Sequence, residues 1–316
     1  MRIGIDLGGT SIKGGIVDED GNIILEKSLK TVKGKDENGD RICNGIIKII
    51  RELIEEKNIS INQVNLIGIG VPGNVDYKNG IVGRCVNLHW ENVHLGNILE
   101  KEFGVKVLID NDANVAAGAE YLFGSTKKAN STLLVTLGTG VGGGAVLNGK
   151  IYRGINGAAM EIGHTIVGEN FYNCSCGNNG CLETFTSATA IIKYAIKLIE
   201  EGRKTIITDI VNGNLNDIDA KIVFNAARKD DVVALEVLDR FVKYLAIGIN
   251  NAISILDVDS IVIGGGVSAG CDLFMDKLIN EINRIKLFKD IPFCTIRKAN
   301  LGNSAGIIGA AMLDRI

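Results

Sequence analysis

One pattern occurs twice in this chain and constrains its fold more than any other. Ile3, Ile5 and Leu7 form a strand-like run that ends in Gly8-Gly9-Thr10. Ile16-Val17 lead to the turn Asp18-Glu19-Asp20-Gly21, and a third strand follows over 23–25. About 130 residues later, a strand over 133–137 ends in Gly138-Thr139-Gly140 and another follows over 145–147. Asn148-Gly149, a strong hairpin signal, then precedes Ile151. The repeat is one of pattern, not of residue identity. It reads as two related halves, each a small α/β domain. With 316 residues and 46% hydrophobic content, the chain can fill two cores.

The remaining periodicity supports this reading. A helix is expected over Asp40–Lys57, with Ile42, Ile46, Ile49, Ile50, Leu53 and Ile54 on one side. Leu66–Val71 reads as a buried strand stopped by Pro72-Gly73, and 106–109 as another strand. The spacing predicts a helix over 112–123, with Asn111 or Asp112 as its cap. The second half is richer in helix, at 188–201, 231–256 and 271–284. A strand over 260–263 runs into Gly264-Gly265-Gly266, and a last helix starts near Ser304 and continues to the end. This gives an N-terminal domain of 1–123, completed by 304–316, and a larger domain of 124–303.

Composition excludes several function classes. A net charge of −3 lacks the basic excess that a nucleic-acid or anionic-membrane surface needs. The apolar stretch 245–267 is interrupted by Asn250, Asn251, Asp257 and Asp259, so it is not a membrane span. The chain opens directly into a strand, which leads us to expect no signal peptide and a cytoplasmic protein. Seven cysteines, three of them clustered, suit a reducing compartment with a metal site better than a disulfide framework. The other four, Cys43, Cys85, Cys271 and Cys294, read as small buried apolar residues.

The cluster holds Glu161, His164, Cys174, Cys176, Cys181 and Glu183. One imidazole and three thiolates can close a tetrahedral zinc site, with His164, Cys174, Cys176 and Cys181 as ligands. Four protein ligands leave no open position, so such a zinc is structural and a zinc-hydrolase role for Glu161 is disfavoured. Free thiols or a disulfide are the alternative. Gly177 and Gly180 sit where the loop must turn sharply.

The glycine turns suit phosphate. Gly8 and Gly9 let backbone N–H groups approach an anion, Thr10 adds a hydroxyl and Lys13 a charge. Asp6 would repel phosphate directly, but makes sense as an outer ligand of Mg²⁺ through water. Taken alone, Gly8-Gly9 could equally be an ordinary hairpin turn. Gly138, Gly140 and Gly143 match G-x-G-x-x-G, but strand-like residues follow where a dinucleotide fold needs a helix. Asp112, between a buried strand and a helix, could be a general base for a hydroxyl nucleophile or only a helix cap.

The three glycine turns, with E-x-G-H and C-x-C-x4-C-x-E, resemble the ROK family of bacterial sugar kinases. The resemblance runs from Ile3 to about Ala310. It implies two ribonuclease-H-like domains of the actin/hexokinase type with a cleft that closes by hinge motion. It also implies transfer of the ATP γ-phosphoryl to the 6-hydroxyl of a hexose, glucose first. Another hexose, or N-acetylglucosamine or N-acetylmannosamine, is the runner-up. On this resemblance Asn111 and Asp112 are the acceptor-binding residue and base, and Glu161, His164 and Glu183 bind sugar hydroxyls. Gly73, Asn74 and Asn87 line the opposite lip, and Gly264, Gly265 and Gly266 lie against the adenosine. Gly138, Thr139 and Gly140 form the second phosphate turn. A homodimer is a family expectation. Trp90 is either a core or lid aromatic or a sugar-stacking one. Met160 stands where the family usually has Gly, and 168–173 lack the usual proline. Family members that repress transcription carry an N-terminal helix-turn-helix, which a strand starting at residue 2 does not suggest.

Overall fold

The computed structural model describes residues 1–32, 34, 36, 39–127 and 129–316. In chain order the elements are β1 (Arg2–Leu7), β2 (Ser11–Val17), β3 (Ile23–Lys30), α1 (Asp40–Lys57), β4 (Leu66–Val71), β5 (Asn74–Asp76), β6 (Ile81–Cys85), β7 (Trp90–Val93), α2 (Leu95–Phe103), β8 (Val107–Asn111) and α3 (Asp112–Leu122). There follow β9 (Ser131–Leu137), β10 (Val141–Leu147), β11 (Lys150–Ile151), α4 (Glu183–Thr186), α5 (Ala188–Glu200), α6 (Ile206–Ile210), α7 (Ala220–Ala227), α8 (Val232–Leu256), β12 (Ser260–Gly264), α9 (Cys271–Ile285), β13 (Thr295–Lys298) and α10 (Ala305–Ala311).

The first sheet has the order β3-β2-β1-β4-β8. Its first three strands pair antiparallel, and β1-β4 and β4-β8 pair parallel. The second sheet has the order β11-β10-β9-β12-β13. Position by position this is the same arrangement, three successive strands on one side and two later ones on the other. The repeat legible in the sequence is therefore a repeat of topology, of the ribonuclease-H-like kind. β5, β6 and β7 form a small antiparallel sheet of their own. These three strands are short and broken by Asn, Asp and Gly turns, and the sequence pattern does not reveal them.

Strand alternation explains how helices cover the first sheet. Ile3, Ile5 and Ile12 share a core with Ile42, Ile46, Ile49 and Leu53 of α1. Gly4 and Gly68 point to the other face, where α10 lies. A Cβ on Gly4 would collide with the Ile307 carbonyl, and one on Gly68 with that of Ala310. The missing side chains let the helix backbone rest directly on the strands. The chain divides into two compact units, 1–134 with 144–160 and 299–316, and 135–143 with 161–298. No helix among the described residues is long and apolar enough to cross a membrane.

The last helix is shorter than the spacing predicts, ending at Ala311 before a 3-10 turn at Leu313–Arg315. Cys43, Cys85 and Cys271 are buried as expected, whereas Cys294 is only partly so. Trp90 is 2% exposed and belongs to the first unit's core, which removes it as a sugar-stacking surface.

Candidate active site

The first glycine turn joins β1 to β2. Gly8 N–H donates to Ser11 O at 2.9 Å. Thr31, just past β3, holds the turn from behind: its N–H donates to Thr10 O at 3.1 Å and its hydroxyl to Gly8 O at 2.6 Å. The N–H groups of Gly9 and Thr10 have no hydrogen-bond partner among the described residues. Asn87 lies beside the turn, its Cβ 3.8 Å from where a Cβ of Gly9 would stand. Asp6 is partly buried, and burial raises its pKa above the usual carboxylate range, against the opposing pull of Lys13. Asp6 and Lys13 face each other in the β1-β2 register. Gly306 of the C-terminal segment makes room for this carboxylate, since a Cβ there would stand 2.6 Å from Asp6 Cγ.

The second turn, between β9 and β10, is built on the same plan. Gly138 N–H donates to Gly140 O at 2.9 Å. Ala188 N–H donates to Gly138 O at 2.7 Å, and the Thr189 hydroxyl to Thr139 O at 2.8 Å. The N–H groups of Thr139 and Gly140 have no partner among the described residues. β10 begins at Val141, so a strand follows the glycines as expected, and the dinucleotide reading is excluded. Val141 N–H donates to Glu183 Oε2 at 2.9 Å, and any side chain at Gly140 would collide with that carboxylate. Gly265, with φ +80°, presses on the backbone of Leu137 at the end of β9. Gly264 closes β12, and Gly266 faces open space.

Asn111 settles the capping question on α3. Its Oδ1 accepts from the N–H groups of Ala113 at 2.9 Å and Asn114 at 3.3 Å, while its Nδ2 donates to Gly73 O at 3.1 Å. Asp112 is the first helical residue, exposed, with Oδ1 accepting from its neighbour Ala113 N–H at 2.8 Å. Under the turn lies a group the sequence reading passed over. Asp110 accepts from Arg153 Nε at 2.5 Å, from Asn111 N–H at 2.7 Å and from Asn114 Nδ2 at 2.9 Å. Arg153 also sits 4.6 Å from the centre of the Tyr77 ring. Asn74 donates through Nδ2 to Asn156 O at 3.1 Å, tying β5 to the segment after Arg153.

The ligand atoms of His164, Cys174, Cys176 and Cys181 all lie within 4.8 Å of one another. Cys174 Sγ is 3.6 Å from His164 Nδ1, and Cys176 Sγ is 3.5 Å from Cys181 Sγ. All three cysteines are free thiols in this structure. Three thiols and an imidazole at these separations suit a tetrahedral zinc ion, whose ligand bonds run about 2.0–2.3 Å. Gly177 and Gly180 take φ of +96° and +87°, as the sharp turns require. Burial pushes the Cys181 thiol up to about 12, whereas the Asn178 backbone N–H holds exposed Cys176 down to about 7. Glu183 begins α4 two residues after Cys181, and Cys174 Sγ lies 3.8 Å from its Oε1. The loop is buttressed from α8: Arg240 donates to Asn170 Oδ1 at 2.8 Å, and Asn170 Nδ2 donates to Thr184 O at 2.7 Å. Glu161 is exposed and opens the short 3-10 turn that carries His164. Met160 adopts φ +65°, the left-handed conformation that the family's usual glycine adopts without strain.

Comparison with known proteins agrees with this geometry over the full chain. The chain is 36% identical to a glucokinase of Halalkalibacterium halodurans over 98% of its own length and 94% of the relative's. It is 30% identical to a xylose repressor of Caldicellulosiruptor bescii over 97% of its own length, but spans only 76% of that protein. The crystal structure of a ROK family glucokinase from Streptomyces griseus in complex with glucose and AMPPNP superposes with a TM-score of 0.83 at 31% identity, covering 99% of this chain and 98% of that one. The model of the ROK family matches residues 2–315, and the chain belongs to that family.

Proposed function

We propose that the protein transfers the γ-phosphoryl group of ATP to the 6-hydroxyl of glucose, giving glucose 6-phosphate and ADP. The observation that carries this reading is the pair of glycine turns, each presenting two successive N–H groups without a partner among the described residues, in a chain similar from end to end to glucokinases. Backbone N–H groups aimed outward from a turn are a phosphate site that carries no sequence cost in charge. Gly8, Gly9, Thr10 and Lys13 of the first turn, and Gly138, Thr139 and Gly140 of the second, are the residues that take phosphate oxygens. Gly264, Gly265 and Gly266 leave room for the nucleoside.

Asp112 is the general base. A sugar hydroxyl is a weak acid, and a carboxylate that accepts its proton as it attacks contributes about 10²–10⁴ in rate. Asn111 caps α3 and so holds Asp112 at the exposed start of the helix. Glu161, His164, Glu183, Asn111, Gly73, Asn74 and Asn87 bind the remaining hydroxyls. Glu183 has one oxygen engaged by Val141 N–H, leaving Oε1 for a hydroxyl once Cys174 is a metal-bound thiolate and no longer a donor. Asp6 is the residue that would hold Mg²⁺, through water; the ion would neutralise charge on the phosphates. His164, Cys174, Cys176 and Cys181 would hold zinc, which would brace the loop carrying His164 and Glu183. A homodimer in the cytoplasm completes the proposal, on the family resemblance.

The test is ADP release from Mg-ATP across glucose, mannose, fructose, allose, N-acetylglucosamine and N-acetylmannosamine. Selective turnover with glucose supports the reading. Selective turnover with an N-acylaminohexose moves the substrate, and turnover with none refutes the kinase.

A further inference from the structure

The two glycine turns share a feature that neither motif nor spacing announces: a threonine hydroxyl from a later part of the chain bonds a turn carbonyl. Thr31 is 6% exposed, and its hydroxyl donates to Gly8 O at 2.6 Å while its N–H takes Thr10 O. In the second turn the Thr189 hydroxyl donates to Thr139 O at 2.8 Å, one residue after Ala188 N–H has taken Gly138 O. Thr31 and Thr189 belong to different units and to unlike surroundings, one past an edge strand and the other in the first turn of α5.

A peptide plane in a glycine turn has two orientations of similar energy, because no Cβ opposes rotation. In one, the N–H faces the ligand; in the other, the carbonyl oxygen does, and it repels an anion. Bonding the carbonyl from behind selects the first. In the second turn the oxygens of Gly138, Thr139 and Gly140 are all engaged from within the protein, and the N–H groups left over are those of Thr139 and Gly140. In the first turn the oxygens of Gly8 and Thr10 are engaged, and the N–H groups left over are those of Gly9 and Thr10. Gly8 O shares its peptide plane with Gly9 N–H, Gly138 O with Thr139 N–H and Thr139 O with Gly140 N–H, so for these three planes the bonded carbonyl and the N–H left without a partner among the described residues are two sides of one peptide.

We propose that Thr31 and Thr189 are positioning residues for nucleotide phosphate, each fixing one peptide plane of its glycine turn so that the N–H of Gly9, or of Gly140, faces the anion. The inference rests on the kinase reading. Neither residue touches the nucleotide. Their contribution is the difference between a turn held in one orientation and a turn that samples two.

The test uses Thr31→Val and Thr189→Val, which keep shape and remove the donor, beside Thr31→Ser and Thr189→Ser, which keep it. Each variant is titrated with a fluorescent ATP analogue and Mg²⁺ without sugar, and assayed for KM of ATP, KM of glucose and kcat. A side-chain hydrogen bond of ordinary net strength corresponds to about a 3- to 10-fold change in affinity. Each Val variant should weaken nucleotide binding and raise KM for ATP by about that factor, with KM for glucose unchanged, and each Ser variant should restore it. Val variants that bind nucleotide like the wild type overturn the inference while leaving the kinase intact. Equal weakening of ATP and glucose, unrescued by Ser, overturns it in favour of a purely structural role. A wild type that binds no nucleotide refutes the kinase reading itself.

Discussion

Replacing Arg153 by Met should cost the first unit about 3 kcal/mol and loosen the turn that carries Asp112. The Arg153–Asp110 pair is buried, with side chains 15% and 3% exposed, and its contact is 2.5 Å. Removing one member of such a pair costs about 3–5 kcal/mol, because the other charge stays buried without its counterion. The low end applies because Asp110 Oδ1 retains donors from Asn111 N–H and Asn114 Nδ2. The guanidinium's contact over Tyr77 is lost as well, while Met keeps much of the stem's packing. For a unit of this size, 3 kcal/mol lowers Tm by roughly 6–12 °C. Trp90, the single tryptophan, is buried in the same core, so its fluorescence during urea denaturation reports this unit directly. The cycle is completed by Asp110→Asn and the double variant. If the pair is coupled, the double variant should lose about 2 kcal/mol less than the sum of the singles. An Arg153→Met midpoint equal to wild type, or strictly additive losses, would refute the reasoning.

Asp6→Asn should abolish Mg-ATP turnover yet raise stability at neutral pH, because burial raises this carboxyl's folded pKa above its unfolded value. The sign is that of a buried acid: the cost of ionising it is present above the folded pKa and disappears as pH falls below the unfolded one, so the variant's advantage in urea should vanish in acid. If the proposed zinc is present, metal analysis should find it in the wild type and lost from Cys181→Ser, with KM for glucose raised; full retention of zinc would remove Cys181 from the ligand set. Met160→Gly should relieve left-handed strain of about 1–2 kcal/mol against about 0.5–1 kcal/mol of added backbone entropy, for a small net gain in urea midpoint. A loss instead would mean that the Met side chain contributes packing that outweighs its backbone.

The parts of the fold that were legible in sequence are those with strong local signals. α1 follows its isoleucine stripe, and the repeated strand–turn–strand pattern appears as two sheets of the same order. The candidate metal ligands converge because three cysteines sit within one short loop and its glycines permit the turns. What was illegible depends on partners distant in sequence. Arg153 reaches Asp110 across 43 residues, and Thr189 reaches Thr139 across 50. No periodicity marks either residue. β5, β6 and β7 are too short to show alternation, and α2, nine residues long, has no side-chain cap to announce it. Asp112 was ambiguous for the opposite reason: Asn and Asp are both good caps, and only the hydrogen bonds of Asn111 distinguish them.

The central claim is tested most directly by glucose 6-phosphate formation from Mg-ATP and glucose, measured for wild type and Asp112→Asn side by side, with glucose affinity determined for both. The account predicts saturable formation by the wild type and a fall of about 100-fold or more in kcat for the variant, with glucose binding retained. Absence of glucose 6-phosphate from the folded, zinc-loaded wild type, or a variant that turns over at the wild-type rate, would contradict it.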